Sequence, residues 1–300
     1  MRHFLDISDL TPDALQSLID DAALMKRGRS AHGRPLEGRI IGLVFEKPSL
    51  RTRVSFEAAA AQLGGQSTFL PGDEVGFGWR ESIEDFGRIV GQYVDALVVR
   101  VFRHETVAAL SACAGVPVIN GLSDTAHPCQ AVADLLTIQE ALGSVRGKTI
   151  AFIGDGNNVA RSLALGAAML GGRLILAAPR DFGFDAEFLG RFASLPGGSP
   201  QVTHDPATAV RGADVIYTDV WTSMGQESEA AARRSKFAAF QVNAALVRHA
   251  PAHAIVLHCL PAHRDEEITS DVLDGPQSRV IVQAGNRLPA QKALLARLIT

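Results

Sequence analysis

The chain has 300 residues, of which 47% are hydrophobic and 20% are charged, and its formal net charge is -3. This length predicts two domains, and the composition is typical of a soluble globular protein. The small negative charge argues against nucleic acid or an anionic membrane as a partner. No apolar run approaches the roughly 20 residues of a membrane helix. Three widely spaced cysteines and the lack of a signal or transit peptide predict a cytoplasmic protein.

Helices and strands are predicted to alternate along the first half of the chain. A helix begins at Pro12 with Thr11 as its cap, a buried strand covers 39–45, and a helix from 51 ends at Gly64. The pattern further predicts strands at 67–70, 95–99 and 116–120, a glycine-rich loop at 71–82, and helices at 82–93, 104–114 and 128–142.

The polar segment 143–148 is the predicted domain boundary, and it separates a domain at 1–142 from one at 148–280. The second half is predicted to contain strands at 149–154, 173–179, near 201, 214–219 and 254–260, with helices at 158–170, 184–193 and 286–299, the last with Pro289 in its first turn. This alternation predicts the α/β class, with two doubly wound parallel-sheet domains and a cleft between them. Ligands of such sheets bind at the carboxyl ends of the strands.

The segment SLRTR, at 49–53, follows a predicted strand and opens a helix. Ser49 is a good N-cap, and the free N–H groups of a first helical turn favour an anion. Arg51 and Arg53 lie where the helix dipole disfavours cations. They form either a phosphate cradle together with Thr52 or a solvated helix start in which Arg53 packs on an acid elsewhere.

Two more polar features follow the next predicted strands. Arg100 ends one strand and is either a ligand contact or an ordinary surface charge. His127 and Gln130 are three residues apart at a helix start, so they can face one ligand together. An imidazole can donate to a carbonyl oxygen, and a glutamine can accept from an amide. The alternative is a plain helix start, in which Asp124 or Thr125 is the cap and Pro128 the first helical residue. Cys129 is predicted to face the core.

The turn GDGNN, at 154–158, follows the first strand of the second half. It resembles a dinucleotide-binding turn only weakly, because Asp181 is the one acid near the end of the next strand. Asn157 and Asn158 can instead hold a polar ligand. This segment therefore leaves two hypotheses open, a nucleotide site and a site for a polar small molecule.

The remaining candidates lie later in the chain. Asp219 ends a strand and suits an amine, unless it only caps a turn, and Ser223 and Met224 lie in a predicted mobile loop. Cys259 ends the last strand, where a buried inert thiol is the alternative. Arg287 is a second cation placed near a helix start.

These five segments, SLRTR, HPCQ, GDGNN, DVWTSMGQE and HCLP, occur in one order along almost the whole chain. In this order they resemble the aspartate/ornithine transcarbamoylase family, and within it the ornithine carbamoyltransferases most closely. The resemblance implies transfer of a carbamoyl group from carbamoyl phosphate to the δ-amine of ornithine. It also implies a carbamoyl-phosphate-binding domain at 1–142, completed by the helix at 286–300, and an ornithine-binding domain at 148–280.

The resemblance further implies the role of each candidate residue. Residues implied to bind carbamoyl phosphate are Ser49, Leu50, Arg51, Thr52, Arg100, His127, Gln130, Cys259, Leu260 and Arg287. Residues implied to bind ornithine are Asn158, Asp219, Ser223 and Met224. Arg100, His127, Asp219 and Cys259 are implied to be catalytic. The family forms trimers, so a homotrimer is expected in which a loop near 74–82 of the neighbouring subunit completes the site.

Three positions depart from the family pattern. Leu50 stands in place of the usual Thr, so only its backbone N–H can serve the phosphate. Gly76 stands in place of the usual Gln of the neighbour-subunit loop, where Trp79 or Arg80 is the candidate substitute. Gly285 stands in place of the usual acid. None of these changes removes a group that the chemistry needs.

Three other functions are alternatives to this one. A transcarbamoylase for putrescine or an N-acylated ornithine is close, but the loop DVWTSMG favours ornithine. A dinucleotide-binding oxidoreductase leaves SLRTR and HPCQ unexplained, and a non-catalytic paralogue leaves the full set of polar residues unexplained. His258 and His263 have no further ligand at metal spacing. No metal or cofactor is therefore predicted.

Overall fold

The computed structural model describes residues 2–28, 33–77 and 79–299. The chain divides into two compact units, the first made of Met1–Leu136 with Asn286–Thr300 and the second of Thr137–Gly285. The α/β fold with two parallel-sheet domains, predicted above, is confirmed, and the end of the C-terminal helix groups with the first unit.

The first unit is built on a parallel sheet with strand order β2-β1-β3-β4. Its strands are β1 (Ile40–Phe45), β2 (Gln66–Pro71), β3 (Ala96–Arg100) and β4 (Val118–Leu122). The register of β1 and β3 pairs Phe45 with Arg100, so the two carboxyl ends coincide. β1 and β3 are almost continuously apolar and buried, as expected for strands covered on both faces.

Helices of the first unit connect these strands. They are α1 (Pro12–Arg27), α2 (Leu50–Gln62), α3 (Gly72–Val75), α4 (Ile83–Val90), α5 (His104–Cys113) and α6 (Pro128–Leu142), of which α6 runs on into the second unit. α2 and α6 therefore begin just after β1 and β4, at the carboxyl edge of the sheet. The segment predicted as a loop at 71–82 contains the short helix α3, and its Gly78 lies outside the described residues.

The second unit is built on a parallel sheet with strand order β7-β6-β5-β8-β9. Its strands are β5 (Thr149–Ile153), β6 (Arg173–Ala177), β7 (Gln201–Thr203), β8 (Val215–Thr218) and β9 (Ile255–His258). The order reverses on either side of β5, because β6 lies on one flank and β8 on the other. Such a switch point is where ligands bind in open α/β sheets.

Short helices follow the strands of the second unit. They are α7 (Asn158–Met169), α8 (Ala186–Gly190), α9 (Pro206–Val210), α10 (Ala230–Phe237), α11 (Ala244–Val247), α12 (Ser270–Leu273) and the start of α13 (Val280–Ile299). A core that includes Ile216, Trp221 and Phe237 fills one face of the sheet. Within the described ranges, no helix combines the length and the apolar character that crossing a membrane requires.

One prediction about the C-terminal helix was wrong. α13 begins at Val280, six residues before the predicted start, and Pro289 lies inside the helix rather than in its first turn. A proline within a helix removes one hydrogen bond and costs about 3 kcal/mol. The extra turn is held by Gln283, whose side chain accepts from the His258 backbone N–H at 2.9 Å and donates to the Tyr217 hydroxyl at 3.1 Å.

Candidate active site

The N-terminus of α2 forms the first part of the site in the first unit. Ser49 is the N-cap, with its Oγ accepting from the Thr52 N–H at 3.3 Å and donating to Thr52 Oγ1 at 3.0 Å. Thr52 is buried, whereas 78% of Leu50 is exposed. The hydroxyl groups of Ser49 and Thr52 thus meet at the helix start, and Leu50 contributes only its backbone there.

Arg51 and Arg53 have different surroundings, although they are two residues apart. Arg53 donates to Glu57 one turn along the helix at 2.8 Å, and its guanidinium stacks 4.0 Å above the Phe69 ring. The structure thus gives Arg53 an ion pair with an acid of its own helix, whereas the alternative interpretation of the segment expected an acid elsewhere. Arg51 is exposed at the same helix start. Arg51 remains the candidate for an external anion.

Arg287 of α13 joins two segments that are far apart in the sequence. Its guanidinium donates to Thr52 Oγ1 at 2.9 Å and to Gln130 Oε1 at 2.5 Å. The Gln130 amide nitrogen donates in turn to Asp134 at 2.8 Å, and Arg287, Gln130 and Asp134 are all buried. This chain of contacts brings together the helix starts that were predicted to bind phosphate and carbamoyl groups.

The imidazole of His127 lies in a positive electrostatic environment. Burial lowers the pKa of His127 well below its usual value, and the nearby Arg287 and Arg100 guanidinium groups lower it further. Arg100 is buried at the carboxyl end of β3. The His127 side chain is therefore neutral near pH 7, and the two arginines supply positive charge that favours an anion. Cys129 next to it donates to the Asn120 carbonyl at 3.3 Å and faces the core, as predicted.

Asp219 is the centre of the polar cluster in the second unit. It follows β8, and only 8% of it is exposed. Its Oδ1 accepts from the Cys259 thiol at 2.9 Å and from the Val220 N–H at 2.8 Å, and its Oδ2 accepts from the Asn157 side chain at 2.9 Å. The structure thus brings the predicted residues Asp219 and Cys259 into direct contact, although they are 40 positions apart.

The turn after β9 is held by a buried imidazole and a buried carboxylate. The Leu260 N–H donates to His258 Nδ1 at 2.8 Å, so the ring proton is on Nε2, which lies 2.9 Å from Glu267 Oε1. Leu260 has a φ of 58°, in the left-handed region that costs energy for a residue other than glycine. The His258–Glu267 pair therefore fixes the turn that carries Cys259.

Oxygen, nitrogen and sulfur atoms of Asp219, His258 and Cys259 lie within 4.8 Å of one another. This spacing alone is compatible with a metal ion. Both ring nitrogens of His258 already have hydrogen-bond partners in Leu260 and Glu267, however. A metal would have to displace one of these contacts, so the geometry favours a polar substrate site.

The other residues predicted to bind ornithine lie around this cluster. Asn158 is the first residue of α7 and is half-buried. The Ser223 backbone N–H donates to Gln226 Oε1 at 3.0 Å, and 44% of Met224 is exposed. Ser223 and Met224 thus lie on the loop that follows β8.

Arg233 is a residue of this region that the sequence analysis did not identify. It is buried, donates to the Trp221 carbonyl and pairs with Asp155. Burial raises the pKa of Asp155, and the positive charge of Arg233 opposes that shift. Arg233 thereby anchors the start of the loop that carries Ser223. A buried arginine six residues after the end of DVWTSMGQE had no signal of its own in the sequence.

The loop predicted near 74–82 is described except for Gly78. Gly76 has a φ of 62°, and a side chain there would meet the Trp79 ring and the Arg80 side chain at 2.8 Å. The Arg80 guanidinium donates to the Glu74 carbonyl at 2.9 Å, and 75% of Trp79 is exposed. The departure at Gly76 thus suits a turn that needs a left-handed backbone.

Comparison with known proteins agrees with this arrangement. Residues 2–140 match the carbamoyl-P binding domain of aspartate/ornithine carbamoyltransferase, and residues 146–298 match the Asp/Orn binding domain. A protein of Acidothermus cellulolyticus named ornithine carbamoyltransferase is 52% identical, with 100% of this chain and 97% of the relative aligned. A Bacillus subtilis protein of the same name is 46% identical, with 99% of this chain and 94% of the relative aligned.

Solved structures give the same result. Ornithine carbamoyltransferase from Pyrococcus furiosus superposes with a TM-score of 0.95 at 46% identity, covering 99% of this chain and 97% of the other. The enzyme from Thermus thermophilus superposes with a TM-score of 0.92 at 43% identity, covering 100% and 99%. The chain therefore belongs to the aspartate/ornithine carbamoyltransferase family.

Proposed function

We propose that this protein is an ornithine carbamoyltransferase, which transfers the carbamoyl group of carbamoyl phosphate to the δ-amine of L-ornithine and gives L-citrulline and phosphate. The observation that carries the proposal within the structure is the pair of contacts from Arg287 to Thr52 and Gln130. These contacts unite a helix start suited to phosphate with side chains suited to a carbamoyl group. The family membership supports the same reaction.

The first unit is assigned to carbamoyl phosphate, with proposed limits at 1–142 and 286–300. The phosphate is assigned to the backbone and hydroxyl groups of Ser49, Leu50 and Thr52, to Arg51, and to Arg100 at the end of β3. The carbamoyl group is assigned to His127 and Gln130, and Arg287 of α13 closes the site. Donors of this kind, fixed before the substrate arrives, stabilise charge that develops during the reaction.

The second unit is assigned to ornithine, with proposed limits at 148–280. Asn158, Ser223 and Met224 are assigned to the amino-acid end of the substrate, and Asp219 to its side-chain amine. Cys259 and Leu260 are assigned to the reaction centre. The 2.9 Å contact between Cys259 Sγ and Asp219 Oδ1 supports this assignment, since it places a carboxylate and a thiol at one point.

The chemistry then needs a neutral amine, although an alkyl amine is mostly protonated near pH 7. Asp219 and Cys259 orient the amine and assist the loss of its proton. The amine nitrogen bonds to the carbamoyl carbon, and Thr52, Arg100 and His127 stabilise the negative charge on the carbamoyl oxygen. The bond from carbon to the phosphate oxygen breaks next, phosphate leaves with the bonding electrons, and it takes up the proton that the attacking nitrogen loses. Positioning and electrostatic stabilisation account for the rate.

We extend the same proposal to the metabolic role, the cellular compartment and the oligomeric state of the enzyme. A relative from Pyrococcus furiosus is named an anabolic ornithine carbamoyltransferase, which supports a role in arginine biosynthesis.

We assign the protein to the cytoplasm and to a homotrimer in which the loop near 74–82 serves a neighbouring subunit. Light scattering coupled to size-exclusion chromatography tests the trimer, and a monomeric mass with full activity contradicts it.

The decisive test is a citrulline colour assay with carbamoyl phosphate and a panel of ornithine, putrescine and N-acetylornithine. Ornithine is expected to be the preferred acceptor. Product from putrescine or N-acetylornithine in preference to ornithine would establish one of the alternative transcarbamoylases. No product from any acceptor would refute a carbamoyl transferase.

Arg51→Ala tests the phosphate assignment. Loss of a charge-assisted contact of about 1.5–3 kcal/mol predicts a fall in kcat/KM for carbamoyl phosphate of roughly 10- to 100-fold. Arg53→Ala is the matched control, because Arg53 contacts Glu57 and Phe69 on the same helix. Equal activity of the two variants, or near-normal activity of Arg51→Ala, contradicts a phosphate contact by Arg51.

A further inference from the structure

Asn157 contacts both the start of helix α7 and the carboxylate of Asp219, in the second unit. Asn158, its neighbour, is the residue that family resemblance implicates in substrate binding. We propose that Asn157 is a positioning residue that sets the orientation of the Asp219 carboxylate toward Cys259 and the acceptor amine. This inference rests on the proposed function, because it concerns how the same site aligns ornithine.

The orientation of the Asn157 amide follows from its contacts. Its Oδ1 accepts from the backbone N–H groups of Val159 at 3.0 Å and Ala160 at 3.1 Å, as the N-cap of α7. Because both of these partners are donors, the oxygen must face the helix. The amide nitrogen then faces the other way, and it lies 2.9 Å from Asp219 Oδ2.

The two oxygens of Asp219 are held by different groups as a result. Oδ2 accepts from Asn157, while Oδ1 accepts from the Cys259 thiol and the Val220 N–H. A rotation of the carboxylate about its Cβ–Cγ bond would weaken contacts on both oxygens. Asn157 therefore restrains the rotation from one side and keeps Oδ1 directed at Cys259.

Helix capping alone does not require asparagine at this position. Ser, Thr and Asp cap nearly as well as Asn, and this chain uses Thr11, Ser49, Ser82 and Asp185 as N-caps elsewhere. Asparagine is distinctive because one side chain carries both an acceptor and a donor. A serine would keep the cap but lose the bond to Asp219, and an aspartate would place a second carboxylate against it.

The chain offers a matched control in Asn243. Asn243 is the N-cap of α11 in the same unit, with its Oδ1 accepting from the Leu246 N–H at 3.0 Å. Its Nδ2 donates to the neutral Gln241 side chain at 3.2 Å. Asn243 thus combines the same two kinds of contact with no link to Asp219. Substitutions at Asn243 measure what the loss of a capping asparagine does by itself.

The experiment compares Asn157→Ser and Asn157→Asp with Asn243→Ser and Asn243→Asp in the full-length enzyme. Steady-state rates are measured with ornithine varied and then with carbamoyl phosphate varied, together with thermal unfolding.

Asn157→Ser is expected to lower kcat/KM for ornithine about tenfold, as for one lost hydrogen bond to a charged group. Asn157→Asp is expected to lower it further, because the new carboxylate repels Asp219. The KM for carbamoyl phosphate is expected to change less than twofold.

Asn157 is only a cap if both of its variants keep ornithine kcat/KM within twofold of wild type. The proposal also falls if activity falls only in proportion to the unfolding midpoint, as at Asn243, or if the KM values for both substrates rise together. Wild-type enzyme in the same assay separates these outcomes from a failure of the proposed function. If wild type makes no citrulline from ornithine, the activity itself is wrong, whatever the variants do.

Discussion

His127 shows how one residue acquires its chemistry from its surroundings. The pKa of its imidazole is lowered first by burial and then by Arg287 and Arg100. A neutral imidazole still has one N–H to donate, and it adds no further charge beside two buried arginines. The side chain is therefore suited to polarise a carbonyl oxygen while the arginines carry the positive charge.

Acid should destabilise the protein through this residue. An unfolded His127 binds a proton near its ordinary pKa of about 6.5, whereas the folded protein excludes that proton. The unfolded state thus holds more protons as the pH falls below about 6.5, and the folded state loses stability by at most about 1.4 kcal/mol per pH unit. Above about pH 6.5 neither state binds this proton, so this loss of stability is absent.

His127→Gln tests this expectation, because glutamine does not titrate. Thermal unfolding of the ligand-free proteins is measured from pH 8 to pH 5. The wild-type midpoint is expected to fall more steeply than that of the variant below about pH 6.5, with a constant difference between them above pH 7. Parallel curves over the whole range would show that His127 is not held neutral in the folded protein.

Helix α2 shows how an element and a binding site share the same atoms. Ser49 caps the helix through the Thr52 N–H and also donates to the Thr52 hydroxyl. The first turn contains no acidic residue, although acids there would favour the helix dipole. Two cations occupy this turn instead. Arg53 is stabilised there by its contacts with Glu57 and Phe69, and Arg51 by the proposed phosphate.

Two cap substitutions in the first unit separate these roles. Thr11 caps α1 through the Ala14 N–H at 3.2 Å, away from the proposed phosphate site. Ser49→Ala and Thr11→Ala are each expected to cost about 1 kcal/mol, which lowers the unfolding midpoint by about 2–4 °C for a unit of this size. Only Ser49→Ala is expected to raise the KM for carbamoyl phosphate, by about tenfold. An equal KM in both variants would mean that Ser49 is a cap alone.

At the scale of the molecule, each unit collects its own set of groups from distant parts of the chain. Residues from Asn286 onward belong to the first unit. There Arg287 reaches Thr52 and Gln130, and Arg297 donates to the Ala14 carbonyl and to Ser17 of α1 at 2.8 Å. Residues of α13 thus complete the fold and the candidate site of the first unit, whose other parts lie in the N-terminal half of the chain.

The division into two units predicts that phosphate binding depends on residues of the first unit and not on those of the second. Inorganic phosphate is expected to raise the thermal unfolding midpoint of the wild type, because a ligand that binds only the folded state stabilises it. Asp219→Asn, in the second unit, is expected to keep that rise, and Arg51→Gln, in the first, to lose most of it. The measurement is a phosphate titration by scanning fluorimetry at constant ionic strength. Loss of the rise in Asp219→Asn, or its retention in Arg51→Gln, would refute the assignment of phosphate to the first unit.

Local signals predicted some features well and failed at others for identifiable reasons. The apolar runs around Leu43 and Val98 were sufficient to predict strands, because buried parallel strands are apolar along their whole length. Pro289 suggested a helix start, but the Gln283 contacts to His258 and Tyr217 hold an earlier turn. Those contacts join residues far apart in the sequence, so no local pattern could reveal them.

The sequence was sufficient for the α/β class, the family, and the segments that carry polar residues, since these depend on periodicity and on the order of short motifs. Packing determined which atoms in those segments meet. It directed Arg53 to Glu57, joined Arg287 to Thr52, and brought the Asn157 amide against Asp219. Neighbouring side chains of one type cannot be distinguished by composition or spacing. Their directions follow only once the strands and helices are in register, because each contact joins elements that are distant along the chain.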